Sequence, residues 1–72
     1  MLEWIKIVYP RTRDVYIDDE LSGQTNLALA VAQGTQQIDL GTPLDYTPRR
    51  HTITVTGTSP IRPLEVVFTP KS

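Results

Sequence analysis

The side chains that could perform chemistry in this 72-residue chain are few and widely separated. Asp18-Asp19-Glu20 is the densest acidic group, and carboxylates are the ligands that Ca²⁺ prefers. Adjacent residues at a strand end point to opposite sides, however, and the alternating acidic loop of an EF-hand is absent. The cluster therefore favours a hairpin turn, with Glu20 and Ser22 at the turn and a positive φ at Gly23.

The single histidine, His51, does not have the surroundings of a catalytic residue. A catalytic histidine needs a nucleophile and an orienting carboxylate, and no local signature identifies either of them. Zinc sites draw most ligands from histidine and cysteine, and the chain has one histidine and no cysteine. The four glycines are too far apart for a phosphate-binding loop. We therefore assign no catalytic, metal or cofactor residue and interpret His51 as an exposed residue at a strand end.

Two basic groups are candidates for a binding patch. Arg11 with Arg13, and Arg49 and Arg50 with His51, would bind a phosphate or an acidic partner if their loops lie at the same end of the domain. The alternative is solvated charge at strand ends, neutralised by nearby aspartates.

Aromatic side chains could form a stacking platform for sugars or bases. Tyr46 follows Asp45 in a proline-flanked loop, and Trp4 lies near the start of the chain. Core packing is the competing use of such rings in a small domain. The candidate binding residues are Trp4, Tyr46, Arg49 and Arg50.

Composition limits the partners and the compartment. The formal net charge of −1 lacks the basic excess of a nucleic-acid-binding surface. No apolar run approaches the ~20 residues that span a bilayer, so membrane insertion is not expected. Glu3 and Lys6 interrupt the first residues, which argues against a signal peptide. The chain is therefore either cytoplasmic or one domain cut from a longer exported protein.

Alternating apolar and polar residues predict the strands. In residues 52–56, Ile53 and Val55 point to one face and three threonines to the other, a pattern typical of a half-buried strand. Similar runs occupy residues 4–9, 14–18, 36–40 and 64–69, with prolines between them or at their edges. We predict one all-β domain over residues 1–72, a small antiparallel β-sandwich of six or seven short strands.

Residues 26–33 are ambiguous between strand and helix. Asn26 could cap a short helix that ends before Gly34. Leu27, Leu29 and Val31 also alternate with alanines, as in a strand with one large-residue face and one small-residue face. A strand is favoured, since so short an isolated helix is marginal in water.

Several short motifs occur in an order that is typical of one known family. They are Pro10 before the strand Val15-Tyr16-Ile17-Asp18, Gly23-x-Thr25 before alternating leucines, Gly34-x-x-x-Ile38, Tyr46, and a closing pair of strands around residues 52–56 and 64–68. Over residues 10–68 the chain resembles the PEGA domain family, small β domains found mostly in bacterial and archaeal envelope proteins and beside signalling domains.

The chain also departs from the family pattern. Arg11-Thr12-Arg13 stands where the naming motif has Glu-Gly-Ala, and Asn26 replaces a usual proline. Asp19 stands where glycine is preferred, which indicates a different first turn, and Gln36 stands where histidine is common. Residues 1–9 lie outside the resemblance and are expected to add an edge strand.

The resemblance implies a sandwich similar to the transthyretin and carboxypeptidase regulatory domains, used as a spacer or interaction module. Members are not known for catalysis, so no functional residue is carried over and no enzyme is expected. The cell envelope is implied if the chain is an excised domain.

Two functions compete at this stage. The first is a non-enzymatic structural or protein-interaction module, which binds a partner protein or a second copy by strand addition to an exposed edge at residues 4–9. Lys6 would limit uncontrolled pairing there. The second is a small-ligand or glycan-binding module, which requires Trp4 and Tyr46 to be exposed together at one end of the sandwich.

Overall fold

Alternating buried and exposed side chains define the long strands. The computed structural model describes residues 2–71, within which nine strands and no helix are formed. In β1 the fully buried Ile5 and Ile7 alternate with the half-buried Trp4 and Lys6. The strands are β1 (Leu2–Val8), β2 (Asp14–Ile17), β3 (Glu20–Gln24), β4 (Ala28–Ala32), β5 (Gly34–Asp39), β6 (Tyr46–Thr47), β7 (His51–Val55), β8 (Leu64–Val67) and β9 (Thr69–Pro70).

The strands form two main sheets and a short ribbon. The first sheet has the order β4-β1-β8, the second has the order β3-β2-β5-β7, and β6 pairs with β9. Every pair is antiparallel except β1 and β8, which run parallel. The prediction of a small all-β sandwich is confirmed, with two differences: one parallel pair, and nine strands in residues 2–71 rather than six or seven. Those residues contain no helix that could cross a membrane.

The parallel pair follows from the path of the chain after β7. The loop leaves the second sheet and passes the start of β1, where Thr58 Oγ1 accepts a hydrogen bond from Trp4 N at 2.6 Å. The next strand therefore begins near the start of β1 and runs in the same direction, with Ile5 opposite Leu64 and Val8 opposite Val67.

The core lies between the two main sheets. The first sheet contributes Ile5, Ile7, Val31 and Val66, and the second contributes Val15, Ile17, Ile38 and Val55. Each buried aliphatic side chain of this size stabilises the fold by roughly 1.5–3 kcal/mol relative to its exposed state. One end of the core is aromatic: the ring of Tyr46 packs edge-on against both Tyr9 and Phe68, and Leu40 belongs to the same buried cluster.

β1 is a strand as expected, but its predicted place at an edge is wrong. It is the central strand of the first sheet, with β4 on one side and β8 on the other. Sequence alternation identified the strand but contains no information on its neighbours, which are set by pairing across long sequence separations. The edges of this sheet are β4 and β8.

The ambiguous segment is a strand, as favoured from the sequence. Leu29 and Val31 of β4 face the core, and Ala28, Ala30 and Ala32 are exposed. β4 pairs antiparallel with β1 across this whole length, with Trp4 opposite Ala30.

The first hairpin turn lies nearer to the start of the chain than expected. Asp18 and Asp19 are its two central residues, with φ of 50° and 68°, and Ile17 pairs with Glu20. Two positive φ values suit the right-handed twist of a hairpin, and aspartate tolerates this conformation better than most residues. The expected positions of Glu20 and Ser22 at the turn are therefore wrong, since both lie in β3.

The expected positive φ of Gly23 is also wrong, because this glycine serves a close approach instead. It lies within β3 beneath the side chain of Leu29 in β4, and a Cβ at this position would lie 2.5 Å from Leu29 Cδ2. Gly23 therefore lets the edges of the two sheets pack closely.

Gly41 and Gly57 allow a matched test of how closely the loop after β5 packs on Tyr16. Both have φ near +70°, but a Cβ on Gly41 would lie 2.6 Å from Tyr16 Cε1, whereas a Cβ on Gly57 would meet open space. We expect Gly57→Ala to lower the free energy of unfolding by about 1–2 kcal/mol through backbone strain alone. Gly41→Ala should lose at least about 1 kcal/mol more through overpacking. Urea denaturation of both variants measures the difference, and equal losses would contradict the close packing of Gly41 on Tyr16.

Candidate interaction sites

An open cleft of about 560 Å³ lies at one end of the molecule. It contains three of the four candidate binding residues, and Trp4 is not among its lining. The lining residues are Asp19, Asp39, Gly41, Thr42, Leu44, Tyr46, Arg49 and Arg50.

The charges of the cleft are largely neutralised internally. Arg50 Nη2 lies 3.0 Å from Asp19 Oδ1 and 3.3 Å from Asp39 Oδ2. Its Nη1 donates to Gln37 Oε1 at 3.0 Å. Arg49 is exposed and forms no ion pair within residues 2–71. The cleft therefore combines two aspartates with two arginines, and most donors of Arg50 are already in use.

Tyr46 is a core residue that is only 3% exposed. Its hydroxyl donates to Gly41 O at 2.9 Å and accepts from Leu40 N at 3.2 Å. Its ring packs edge-on against Phe68, with the centroids 5.4 Å apart. The expectation that Tyr46 and Trp4 are exposed together is therefore wrong, because burial of Tyr46 closes the aromatic end of the core. The binding role of Trp4, Tyr46, Arg49 and Arg50 stays a prediction.

Arg13 holds the loop that carries Tyr46. Its guanidinium forms an ion pair with Asp45 and donates to the carbonyls of Leu40, at 3.3 Å, and Pro43, at 3.0 Å. It also lies 5.3 Å from the centroid of the Tyr46 ring, within the range of a cation–π contact. Four interactions from one side chain fix the turn between β5 and β6.

Two of the four arginines proposed for a joint patch are neutralised: Arg13 pairs with Asp45, and Arg50 pairs with Asp19 and Asp39. Neutralisation by nearby aspartates was the alternative interpretation of these charges.

Two carboxylates have lowered pKa values. The side-chain hydrogen bond from Arg13 holds the pKa of Asp45 below its ordinary value, against a smaller opposing effect of desolvation. Glu3 is only 4% exposed, and its Oε1 accepts from Thr58 N and Thr58 Oγ1, both at 2.8 Å. These bonds, first that of the backbone amide, lower the pKa of Glu3. Both groups stabilise the fold as carboxylates.

His51 is half-buried and joins the two sheets. Its Nε2 donates to Val67 O of β8 at 2.8 Å, and its ring packs edge-on against Phe68, with the centroids 4.8 Å apart. Among residues 2–71, no group of three or more histidine, aspartate or glutamate side chains could hold a metal ion. His51 thus covers part of the outer edge of β8.

Asn26 takes the place of a strand residue beside the end of β1. Its Nδ2 donates to Tyr9 O at 2.8 Å, and its Oδ1 accepts from Tyr9 N at 3.2 Å, as a paired backbone would do. Its own amide donates to Ile7 O at 2.7 Å. The sequence analysis missed this role. The available signal was an asparagine directly before an apolar run, since asparagine is enriched at positive φ, here 66°.

The free edge of β4 follows from the hydrogen-bond alternation of β1. Because Trp4 N donates to Thr58, the pair of Trp4 and Ala30 is not hydrogen-bonded, and the N–H and C=O of Ala30 point away from β1. The same alternation directs those of Ala28 outward. Ala32 O also points outward and accepts from Gln36 Nε2 at 2.7 Å. No partner within residues 2–71 pairs with the outward groups of Ala28 and Ala30.

Comparison with known proteins gives one match. A family model described as PEGA domain matches residues 9–66. The chain belongs to the PEGA domain family. No curated protein and no solved structure matches it. In this PEGA domain the central strand β1 lies before the matched residues, and the cleft, Arg13 and the edge of β4 lie within them.

Arg13 should contribute more to the stability of this PEGA domain than its neighbour Arg11. Arg13→Lys keeps the charge but loses the planar fork that reaches two carbonyls and Asp45. We expect the free energy of unfolding to fall by about 1–3 kcal/mol, as for lost hydrogen bonds of a charged group. Arg11→Lys is the matched control at an exposed position and should change little. Equal effects in urea denaturation would contradict the role assigned to Arg13.

The PEGA domain should lose stability on acidification because of Glu3 and Asp45. Folding lowers the pKa of both groups, so the unfolded chain binds more protons as the pH falls below about 4. The stability is present above this pH and is lost as the pH falls through the pKa values of the folded state. Thermal melts of Glu3→Gln and Thr58→Val between about pH 2 and pH 6 should show a shallower loss than the parent. Thr52→Val, at an exposed position on β7, is the control, and an unchanged slope in the first two variants would contradict the assignment.

Proposed function

We propose that this PEGA domain is a non-enzymatic interaction module that binds an extended segment of a partner protein at the free edge of β4. The observation that carries the proposal is the row of unpaired backbone groups on Ala28 and Ala30. An extended segment that runs beside them would form a new strand of the first sheet, with backbone hydrogen bonds supplying affinity. This moves the expected edge from residues 4–9 to the neighbouring strand.

The sequence of β4 lacks the features that usually protect an edge. Charged side chains, prolines and bulges discourage pairing with other chains. Residues 27–33 contain no charged residue and no proline, and the pairing of β4 with β1 has no register shift. The edge strand β3, by contrast, includes Glu20 and pairs through a bulge at Val15 and Tyr16. An uncharged, regular edge of this kind suits a strand-binding role.

The outer face of the first sheet adds a surface for the partner's side chains. Leu2 is 65% exposed and Val67 is 53% exposed, and Trp4 and Val8 between them are half-buried. The alanines of β4 continue this face with small side chains, so a bound strand would extend it. The charged pair of Lys6 and Glu65 crosses this face between Trp4 and Val8, so apolar side chains lie on both sides of one polar row. Exposed apolar side chains grouped beside polar ones suit an interaction surface.

The polar side chains support a non-catalytic role. Arg13, Arg50, Glu3 and His51 each bond other groups of the domain, which leaves them little capacity to act on a substrate. A spacer or recognition role within a larger envelope or signalling protein is consistent with such a module.

The experiment is a selection of peptides from a random display library with the intact domain as bait. Bound peptides should be uncharged, β-branched segments, and the amides of Ala28 and Ala30 should shift in the NMR spectrum. Ala30→Pro removes an outward N–H that takes no part in pairing with β1, so the domain should still fold. Affinity should fall at least about tenfold, since one hydrogen bond and the fit of the added strand are lost.

Ala30→Val is the matched control for peptide binding. Valine is similar in size to proline but keeps the N–H, so this variant should bind the peptides about as well as the parent. Peptides that bind Ala30→Pro and the parent equally would overturn the proposal, as would a selection that yields none.

A second candidate is a small ligand in the cleft, and it is favoured by one observation. Tyr46, Arg49 and Arg50 line the same concave surface, and Arg49 has no ion-pair partner within residues 2–71. A small anion bound there would shift the resonances of Arg49 and leave those of Ala30 unchanged, which separates this function from strand addition.

A further inference from the structure

The edge strand β4, together with Leu27 before it, has a nearly palindromic sequence. Residues 27–31 read Leu-Ala-Leu-Ala-Val, so the pattern is almost the same in both directions about Leu29. Two antiparallel copies of such a segment place like side chains opposite like side chains. A two-fold symmetric contact requires a self-complementary surface, because each residue that meets a second residue is met in turn by its equivalent in the other copy. A nearly palindromic strand satisfies this requirement with side chains of matching size on the same face.

We propose that the segment that pairs with β4 is the β4 strand of a second copy of this chain, with the two-fold axis at Leu29. This inference rests on the proposed function and names its partner. The first sheets of the two copies then form one six-stranded sheet in the order β8-β1-β4-β4-β1-β8.

The hydrogen-bond alternation fits this register. Only residues with outward N–H and C=O groups can form a hydrogen-bonded pair across the edge, and these include Ala28 and Ala30. With the axis at Leu29, Ala28 of one copy faces Ala30 of the other, twice, which gives four backbone hydrogen bonds. With the axis at Ala30 instead, Ala28 of one copy would face Ala32 of the other. That pair would use Ala32 O, which already accepts from Gln36. The axis at Leu29 avoids this competition.

The side chains also fit this register. On the core side, Leu27 faces Val31 of the second copy and Leu29 faces its own equivalent. Leu27 is 55% exposed in the single chain and would lose much of that exposure. On the outer side only alanines meet, and their side chains stand away from the plane in which the backbones pair.

Charge does not oppose the pairing. Lys6, opposite Ala28, is the nearest cation in the first sheet. It is separated from its equivalent by three strand spacings, about 14 Å, which exceeds the screening length at physiological salt. The contact is therefore apolar and held by backbone bonds.

A disulfide experiment tests the register directly. The chain has no cysteine, so Leu29→Cys and Leu27→Cys each introduce a single thiol. With the axis at Leu29, the two Cα atoms at position 29 lie about 4.5 Å apart, within disulfide reach. We expect Leu29→Cys to form disulfide dimers under mild oxidation at least tenfold faster than Leu27→Cys. Random collision would favour Leu27→Cys, which is the more exposed position.

A measurement without cysteine tests the same contact in the intact chain. Sedimentation equilibrium of the parent and of Ala30→Val should give a dimer that dissociates at micromolar to millimolar concentration, and Ala30→Pro should remain monomeric. Faster cross-linking of Leu27→Cys, or a parent that stays monomeric at about 1 mM, would overturn the second-copy inference. If library peptides still bind β4 of such a monomer, the proposed function stands and only its partner is wrong. If they do not bind, both are wrong.

Discussion

The central strand β1 must have its backbone groups paired on both sides, because unpaired buried amides and carbonyls destabilise a fold by as much as the loss of a hydrogen bond. One side is satisfied by β4 and continued by Asn26, whose side chain pairs with Tyr9. The other side is satisfied by β8, with Thr58 accepting from Trp4 before β8 begins. The backbone groups of successive β1 residues therefore point alternately to β4 and to β8. This alternation goes together with the orientation of Ile5 into the core, and it turns the backbone groups of the flanking strands either inward or out to solvent.

Local pattern was enough to find most strands but not to arrange them. Residues 52–56 were recognised from alternation alone, because period two is a property of each strand by itself. The place of β1 in its sheet was not, since its partners β4 and β8 lie far away in the sequence. The type of the first turn was missed for a related reason. Asp18, Asp19 and Gly23 all accept unusual backbone conformations, and only the register of β2 with β3 determines which residues turn the chain.

The candidate sites show the same difference between what the local sequence indicates and what long-range contacts decide. Arg11 and Arg13 look equivalent in the sequence, and only the fold brings Asp45 to one of them. Tyr46 was placed in a binding role from its loop position, whereas the packing of Phe68 against its ring makes it part of the core. A lone charged or aromatic side chain in a small domain therefore has two uses that the sequence cannot separate. Long-range contacts decide between them.

The two edges of the first sheet differ in a way that limits growth. His51 donates to Val67 O and covers part of the outer edge of β8, which also has the exposed charge of Glu65. The other edge is open along Ala28 and Ala30. A sheet with two equivalent open edges can be extended without limit into a fibre, whereas a sheet with one open edge is complete after a single addition. The asymmetry thus permits a finite complex and disfavours polymerisation.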